Sequence, residues 1–388
     1  MGNMMSERRI GLLSLQWMNN YGTIIQAYAL QKAIWKLGFQ SEYISYRPNQ
    51  EKNKVNPVKQ FFHGFPDSIF QIMPYVNNRI RFNKLNKVKE DSTLRNERFE
   101  SFRQKNIRIS NKIYTDSEQL LKEPPEYDIY ITGSDQIWSP NLSYSCEAYM
   151  LNFVKDDHKK NAYASSLGTV NIPSNYKERL IHNLKNFSNL SCREISGAEY
   201  LKKVLEREVV EVLDPTMLLD IGDLLDVSEE RIIPENKFIL CYFLGNKKWH
   251  RSYAKGLSES TGFPCYYVAY DALEVGRENA LWDVGPAEFI SLIHRASYVC
   301  TDSFHGSVLA ILFHKELYGF CKRGDLERTS DNSRLHDLYF KFGIEERLIK
   351  KACNRKQLEE IDYSVVDKIL QKNRINSKLY LKKILKAI

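Results

Sequence analysis

Short apolar runs alternate along the chain with stretches whose apolar residues recur every three or four positions, the pattern of strands joined by crossover helices in a parallel sheet. IGLLSLQ (10–16) predicts a first strand, NNYGT a turn, and IIQAYALQKAIWKLG a helix closed at Gly38. Ile24, Ala27, Tyr28, Leu30, Ile34 and Leu37 supply the apolar face of that helix, and SEYISYR (41–47) predicts the second strand. YDIYITGSD (127–135) and KNAYASSLG (160–168) read as further strands, and a helix begins near Ser174. Asp214-Pro215 punctuates the chain. ENKFILCYFLGN then opens a fresh series, with CYYVAY (265–270), ASYVCTD (296–302) and KELYGF (315–320) as strands. The pattern predicts an α/β fold of two Rossmann-like domains with a cleft between them. The first spans 1–215 and carries a basic helical insertion at about 50–108, the second spans 216–350, and a basic helical segment occupies 351–388.

Composition narrows the class. The chain has 388 residues, 43% of them hydrophobic and 27% charged, enough for a sizeable core and against disorder or a coiled coil. No stretch approaches about 18 uninterrupted apolar residues, so no membrane-spanning helix is expected. The opening MGNMMSERRI carries no apolar run and is not expected to be a secretory signal. The seven cysteines are scattered and form no C-x-x-C pair, which argues against a zinc ribbon or a disulfide framework and for a reducing compartment, the cytoplasm.

Ligands of open α/β sheets collect beyond the carboxyl ends of the strands, and several polar loops stand there. Asn20, Tyr21 and Gly22 precede a helix, either as a ligand contact or as a plain helix start. GSDQIW places Ser134, Asp135, Gln136 and Trp138 after a strand. Planar acceptors for hydroxyls and an aromatic face for a ring suit a sugar, and an Asx-type cap beside a buried tryptophan fits equally well. TDSFHGS carries the strongest signal, because His305 and Gly306 fall where a helix begins after the strand ending at Asp302. A histidine there, beside free amides, suits an anionic substrate that needs a proton donor. Arg193 in REISG would fork a carboxylate or phosphate, or cap a helix. Arg323, Arg328 and Arg334 punctuate a polar loop. No Walker loop, zinc signature or nucleic-acid module is visible.

In order, NNYGTIIQAYALQ, DIYITGSDQIW, ASSLG, REISG, VLDPTMLL, GPAEFISLIHRASYVCTDSFHGSVLAILFHK and NSRLHDL resemble the polysaccharide pyruvyl transferase family over roughly 10–345. The resemblance implies a GT-B-like fold, its C-terminal helix returning to the N-terminal domain. It also implies transfer of pyruvate from phosphoenolpyruvate to two hydroxyls of a sugar, forming a ketal. On that scheme His305 is the general acid at the methylene carbon, and Asp135 orients or deprotonates the acceptor. Arg193, Ser303, Arg334 and the amides of Gly306 and Ser307 hold the donor. Asn20, Tyr21, Gly22, Ser134, Gln136 and Trp138 bind the acceptor. The scheme uses no metal and no cofactor besides the donor substrate. The family places an arginine two residues before the catalytic histidine, where this chain has Ser303, so that contact is expected from Arg193, Arg323, Arg328 or Arg334, or is absent. A GT-B-like glycosyltransferase using a nucleotide sugar and a non-catalytic carbohydrate-binding protein are the alternatives.

Charge then adds a partner. The net charge of +8 resolves into +6 over 78–108, +6 over 366–388, and −4 elsewhere. Two basic helical segments on an acidic body predict a docking face for an anionic membrane, or else two solvated helix faces, and argue against nucleic acid. The expected acceptor is a lipid-linked oligosaccharide, and the expected location is the inner face of the cell membrane.

Overall fold

A computed structural model describes residues 6–48, 87–141, 147–169, 171–231, 234–245, 247–270, 274–321, 332–350 and 359–386. Arg323, Arg328, Cys146, Cys353 and the first part of the basic insertion lie outside the described residues.

The first half contains β1 (Ser6–Leu13), α1 (Tyr21–Lys36), β2 (Phe39–Tyr46), α2 (Lys89–Asn106), β3 (Ile109–Tyr114), α3 (Ser117–Lys122), β4 (Ile129–Thr132) and β5 (Lys160–Ala162). It continues with α4 (Ser174–Leu184), β6 (Ser191–Cys192), α5 (Ile195–Leu205), β7 (Val210–Glu211) and α6 (Ile221–Leu225). The second half has β8 (Ile239–Tyr242), α7 (Lys248–Thr261), β9 (Cys265–Val268), β10 (Ala280–Leu281), α8 (Pro286–Arg295) and β11 (Tyr298–Thr301). It ends with α9 (Phe304–Leu312), β12 (Glu316–Phe320), α10 (Ser333–Phe342), β13 (Leu348–Ile349) and α11 (Tyr363–Lys386).

The two main sheets are parallel, with strand orders β3-β2-β1-β4-β5 and β10-β9-β8-β11-β12-β13. The bridges Asn161–Asn189 and Ser165–Cys192 link the β6–β7 pair to the first sheet. Each sheet thus runs outward in both directions from its first strand, and reverses between β1 and β4 or between β8 and β11. That reversal opens a crevice beyond the strand ends. β4 and β8 are buried along their length, as parallel strands covered on two faces must be. The architecture is the pair of Rossmann-like units that the sequence pattern predicts.

Three local differences have plain causes. α1 begins at Tyr21, before the predicted Ile24, because the Asn20 side chain accepts from Thr23 N at 3.2 Å and caps the helix there. β5 stops at Ala162, and the Ala-Ser-Ser-Leu-Gly that follows is a connection rather than strand. The arginines of α2 turn inward instead of forming a surface patch. Arg103 donates to Gln16 O at 2.9 Å and to Asn19 Oδ1 at 2.9 Å. Arg98 crosses to the second half, pairing with Asp283 at 3.1 Å and with Glu288 at 3.3 Å.

α11 returns to the first half. Ser377 Oγ accepts from Leu213 N at 2.9 Å, and Tyr380 donates to Ala162 O at 3.3 Å. Arg374, expected on the exposed basic face, is buried and donates to Met217 O and Leu219 O at 2.7 and 2.9 Å. No described helix is long and apolar enough to cross a membrane. Cys192, Cys241, Cys265, Cys300 and Cys321 are free thiols.

Candidate active site

Loops from both sheets meet where the two crevices face each other. From the first half come the start of α1, the Gly133-Ser134-Asp135 turn after β4, Arg193-Glu194 after β6, and Asp214 after β7. The second half contributes His305 in the first turn of α9. Ser303 caps that helix, its hydroxyl accepting from Gly306 N at 3.3 Å. The cap fixes where α9 begins and so where the imidazole points.

Asp214 organises the centre. His305 Nε2 lies 3.2 Å from Asp214 Oδ2, and Arg193 Nη1 donates to the same oxygen at 3.0 Å. The Ser134 hydroxyl reaches it at 3.4 Å, while Oδ1 accepts from Thr216 N at 3.0 Å. Burial disfavours the charged carboxylate, but His305, Arg193 and the Thr216 amide outweigh it and hold Asp214 well below the usual carboxylate range. An ionised carboxylate only accepts, so Nε2 carries the hydrogen of the His305–Asp214 contact.

The other ring nitrogen, Nδ1, packs on Gly22. A Cβ at Gly22 would stand 2.1 Å from Nδ1 and 2.7 Å from the His305 Cβ. Only glycine permits this approach between the two halves.

Asp135 sits beside this pair. Its Oδ2 accepts from the Thr23 hydroxyl at 2.5 Å, and Oδ1 from Gln136 N at 2.9 Å. Burial opposes its ionisation, and His305, Arg193, the Thr23 hydroxyl and Arg334 together still lower its pKa. Arg193 is itself buried, which disfavours its charge, but Glu194, Asp214 and Asp135 raise its pKa overall. Its Nε donates to Glu194 at 2.9 Å, and its guanidinium lies 4.0 Å above the Phe304 ring. Among the described residues its Nη2 has no hydrogen-bond partner although it is buried. Arg193, Asp214, Phe304, Arg334 and Lys341 line one recess.

The structure therefore brings together His305, Asp135, Ser134, Gly22, Arg193 and Arg334. It assigns other expected contacts to the framework. Trp138 is 0% exposed, packs edge-on against Phe187, and donates its indole N–H to Tyr149 O at 3.1 Å, so its faces are filled by protein. Tyr21 donates to Val284 O at 2.8 Å and stacks on Phe289, which joins the two halves instead of facing an acceptor. Asn20 caps α1. The amides expected to grip an anion are already used, Gly306 N by Ser303 Oγ and Ser307 N by Ser303 O at 3.0 Å. The Ser307 hydroxyl bonds Ser303 O and Tyr339. Gln136 is half-buried against Gly168. Sequence reasoning missed Asp214, read there as chain punctuation, although VLDPTMLL was among the resembling segments. It also missed Thr23 and Glu194.

A model of the polysaccharide pyruvyl transferase family matches residues 20–320. No curated protein matches the chain. Solved structures similar to it include an alpha-glucosyltransferase in complex with UDP and DNA, with 11% identity, 97% of this chain and 95% of that one covered, and a TM-score of 0.43. The Methanocaldococcus jannaschii UDP-GlcNAc 2-epimerase has 12% identity, coverage of 94% and 98%, and a TM-score of 0.41. A Streptomyces sp. SF2575 glycosyltransferase has 10% identity, coverage of 97% and 99%, and a TM-score of 0.37.

Proposed function

Because the chain belongs to the polysaccharide pyruvyl transferase family, we propose that it transfers pyruvate from phosphoenolpyruvate to a sugar of a cell-surface polysaccharide precursor, forming a pyruvate ketal. One observation carries the donor assignment. Arg193 is a buried guanidinium with one unpartnered nitrogen, lining a recess beside a histidine fixed by a carboxylate. Such a nitrogen suits a donor that is anionic at both its carboxylate and its phosphate. Arg193 and Arg334 then do the work of the arginine that Ser303 replaces.

The proton reaches the methylene carbon of phosphoenolpyruvate from Nδ1 of the His305 imidazolium, since Nε2 is held by Asp214. Nδ1 is covered by the Gly22 turn, so that turn must give way locally to admit the substrates while Asp214 keeps its hold on Nε2. Protonation leaves a cationic, oxocarbenium-like C2. One acceptor hydroxyl adds to C2 and releases its proton. The bond from C2 to the bridging oxygen then breaks, phosphate departs with that oxygen, and the second hydroxyl closes the ketal. One hydroxyl proton replaces the one given by His305, and the other leaves on phosphate. Asp135 is a poor base, because its carboxyl is held low and both oxygens are already accepting. It stabilises the positive charge developing at C2.

The test is incubation of the purified chain with phosphoenolpyruvate and a panel of lipid-linked sugar acceptors. Phosphate release with a mass gain of one pyruvyl unit, abolished by His305→Ala, is expected. Turnover of a UDP-sugar with no phosphate release from phosphoenolpyruvate would overturn the proposal.

A further inference from the structure

α11 presents two opposed faces. Val366, Leu370, Ser377, Leu381, Ile384 and Leu385 pack inward. The outward face carries Lys368, Lys372, Lys382, Lys383 and Lys386, all exposed, with Lys378 at its edge. In the middle of that face stand Ile375 and Leu379, 59% and 60% exposed, and Val365 lies near its start. At 100° per residue these positions fall within one stripe along the helix, lysines at both ends and two large aliphatic side chains between. The acidic residues of the segment lie off it. Asp362 precedes the helix, and Asp367 accepts from His314 at 3.0 Å.

We propose that this stripe docks the protein on an anionic bilayer, with α11 lying in the plane of the interface. The charge pattern selects that occupant. Lysines flanking exposed aliphatic residues are what an interfacial helix needs, since the ammonium groups meet lipid phosphates while Ile375 and Leu379 enter the acyl boundary. A second copy of the chain would bring lysines against lysines, and two or three exposed aliphatic side chains fall short of the area a stable interface buries. Among the described residues Arg98 and Arg103 of α2 are committed to internal contacts and Arg374 is buried, whereas the α11 lysines stand on one exposed stripe. The inference is independent of the reaction proposed above.

Sedimentation of the full chain with vesicles tests it. Binding to phosphatidylcholine vesicles containing a third of phosphatidylglycerol should exceed binding to pure phosphatidylcholine at least about tenfold, and should weaken with added salt. Lys372→Glu with Lys382→Glu should abolish the difference. Ile375→Ser with Leu379→Ser should lower binding several-fold, with unchanged thermal unfolding in both variants. Equal binding to the two vesicles, unimpaired binding by both variants, or a dimer in solution that Leu379→Ser dissociates would overturn the proposal.

Discussion

Gly22→Ala should cost the protein most of its activity with little loss of structure elsewhere. The added methyl would stand 2.1 Å from His305 Nδ1 and 2.4 Å from its Cγ. Restoring an ordinary contact of about 3.5 Å requires a shift of roughly 1.4 Å. Swinging the ring alone does not relieve the clash, because the His305 Cβ is also within 2.7 Å, so the α9 backbone or the α1 turn must move. The hydrogen bond from His305 to Asp214, 3.2 Å long, is then stretched or broken. Overpacking of this kind costs about 1–3 kcal/mol, and a misplacement near 1 Å lowers turnover roughly a hundredfold. Phosphate release from phosphoenolpyruvate measures kcat, and thermal unfolding measures the strain. Gly222→Ala is the control, because nothing lies within 4 Å of a Cβ there and α6 accommodates alanine. Unchanged kcat and unfolding in Gly22→Ala would refute the packing of α1 on His305.

Arg193→Lys keeps the charge and loses the fork, so KM for phosphoenolpyruvate should rise roughly tenfold to a hundredfold with a smaller change in kcat. Acid sensitivity follows from the lowered carboxyls. Their folded pKa lies below the unfolded value, so Asp214 and Asp135 contribute stability that is complete above about pH 4 and lost as pH falls through the folded values. Asp214→Asn should lower the thermal midpoint near neutrality and flatten its dependence on acid; an unaltered profile would show that the ion pairs do not form. Trp138→Phe should destabilise by about 1 kcal/mol through the lost hydrogen bond to Tyr149 O and leave acceptor KM unchanged; a large rise in acceptor KM would restore the tryptophan to the sugar site.

The strand and helix series was legible because its signal is local. IGLL and FILCYF are apolar runs whose neighbours do not matter to the reading, whereas the strand orders come from the structure. The placement of His305 was legible too, in the first turn of a capped helix that follows a strand. Trp138, Tyr21 and the α9 amides were not, because a sequence shows which groups are present and not which are already satisfied. An indole with a free face and one sealed by Phe187 have the same neighbours in GSDQIW. Ser303 explains the amides in retrospect, since a serine at the N-cap takes the Gly306 N–H that an anion would otherwise use.

Asp214 marks the deeper limit. Locally it is an N-cap before proline, satisfied by Thr216 N, and no local rule distinguishes it from other such turns. Its function comes from three donors that arrive from positions 134, 193 and 305. They meet because the first-half loops after β4, β6 and β7 converge where the crevice of the first sheet faces the first turn of α9. Positions in two sheets, more than a hundred residues apart in the widest case, share one oxygen. A carboxylate with that many claims on it stays ionised in a buried setting, and it can hold the imidazole in one tautomer without itself taking the proton. The chemistry assigned to His305 therefore depends on a residue whose own surroundings in the chain announce only a turn.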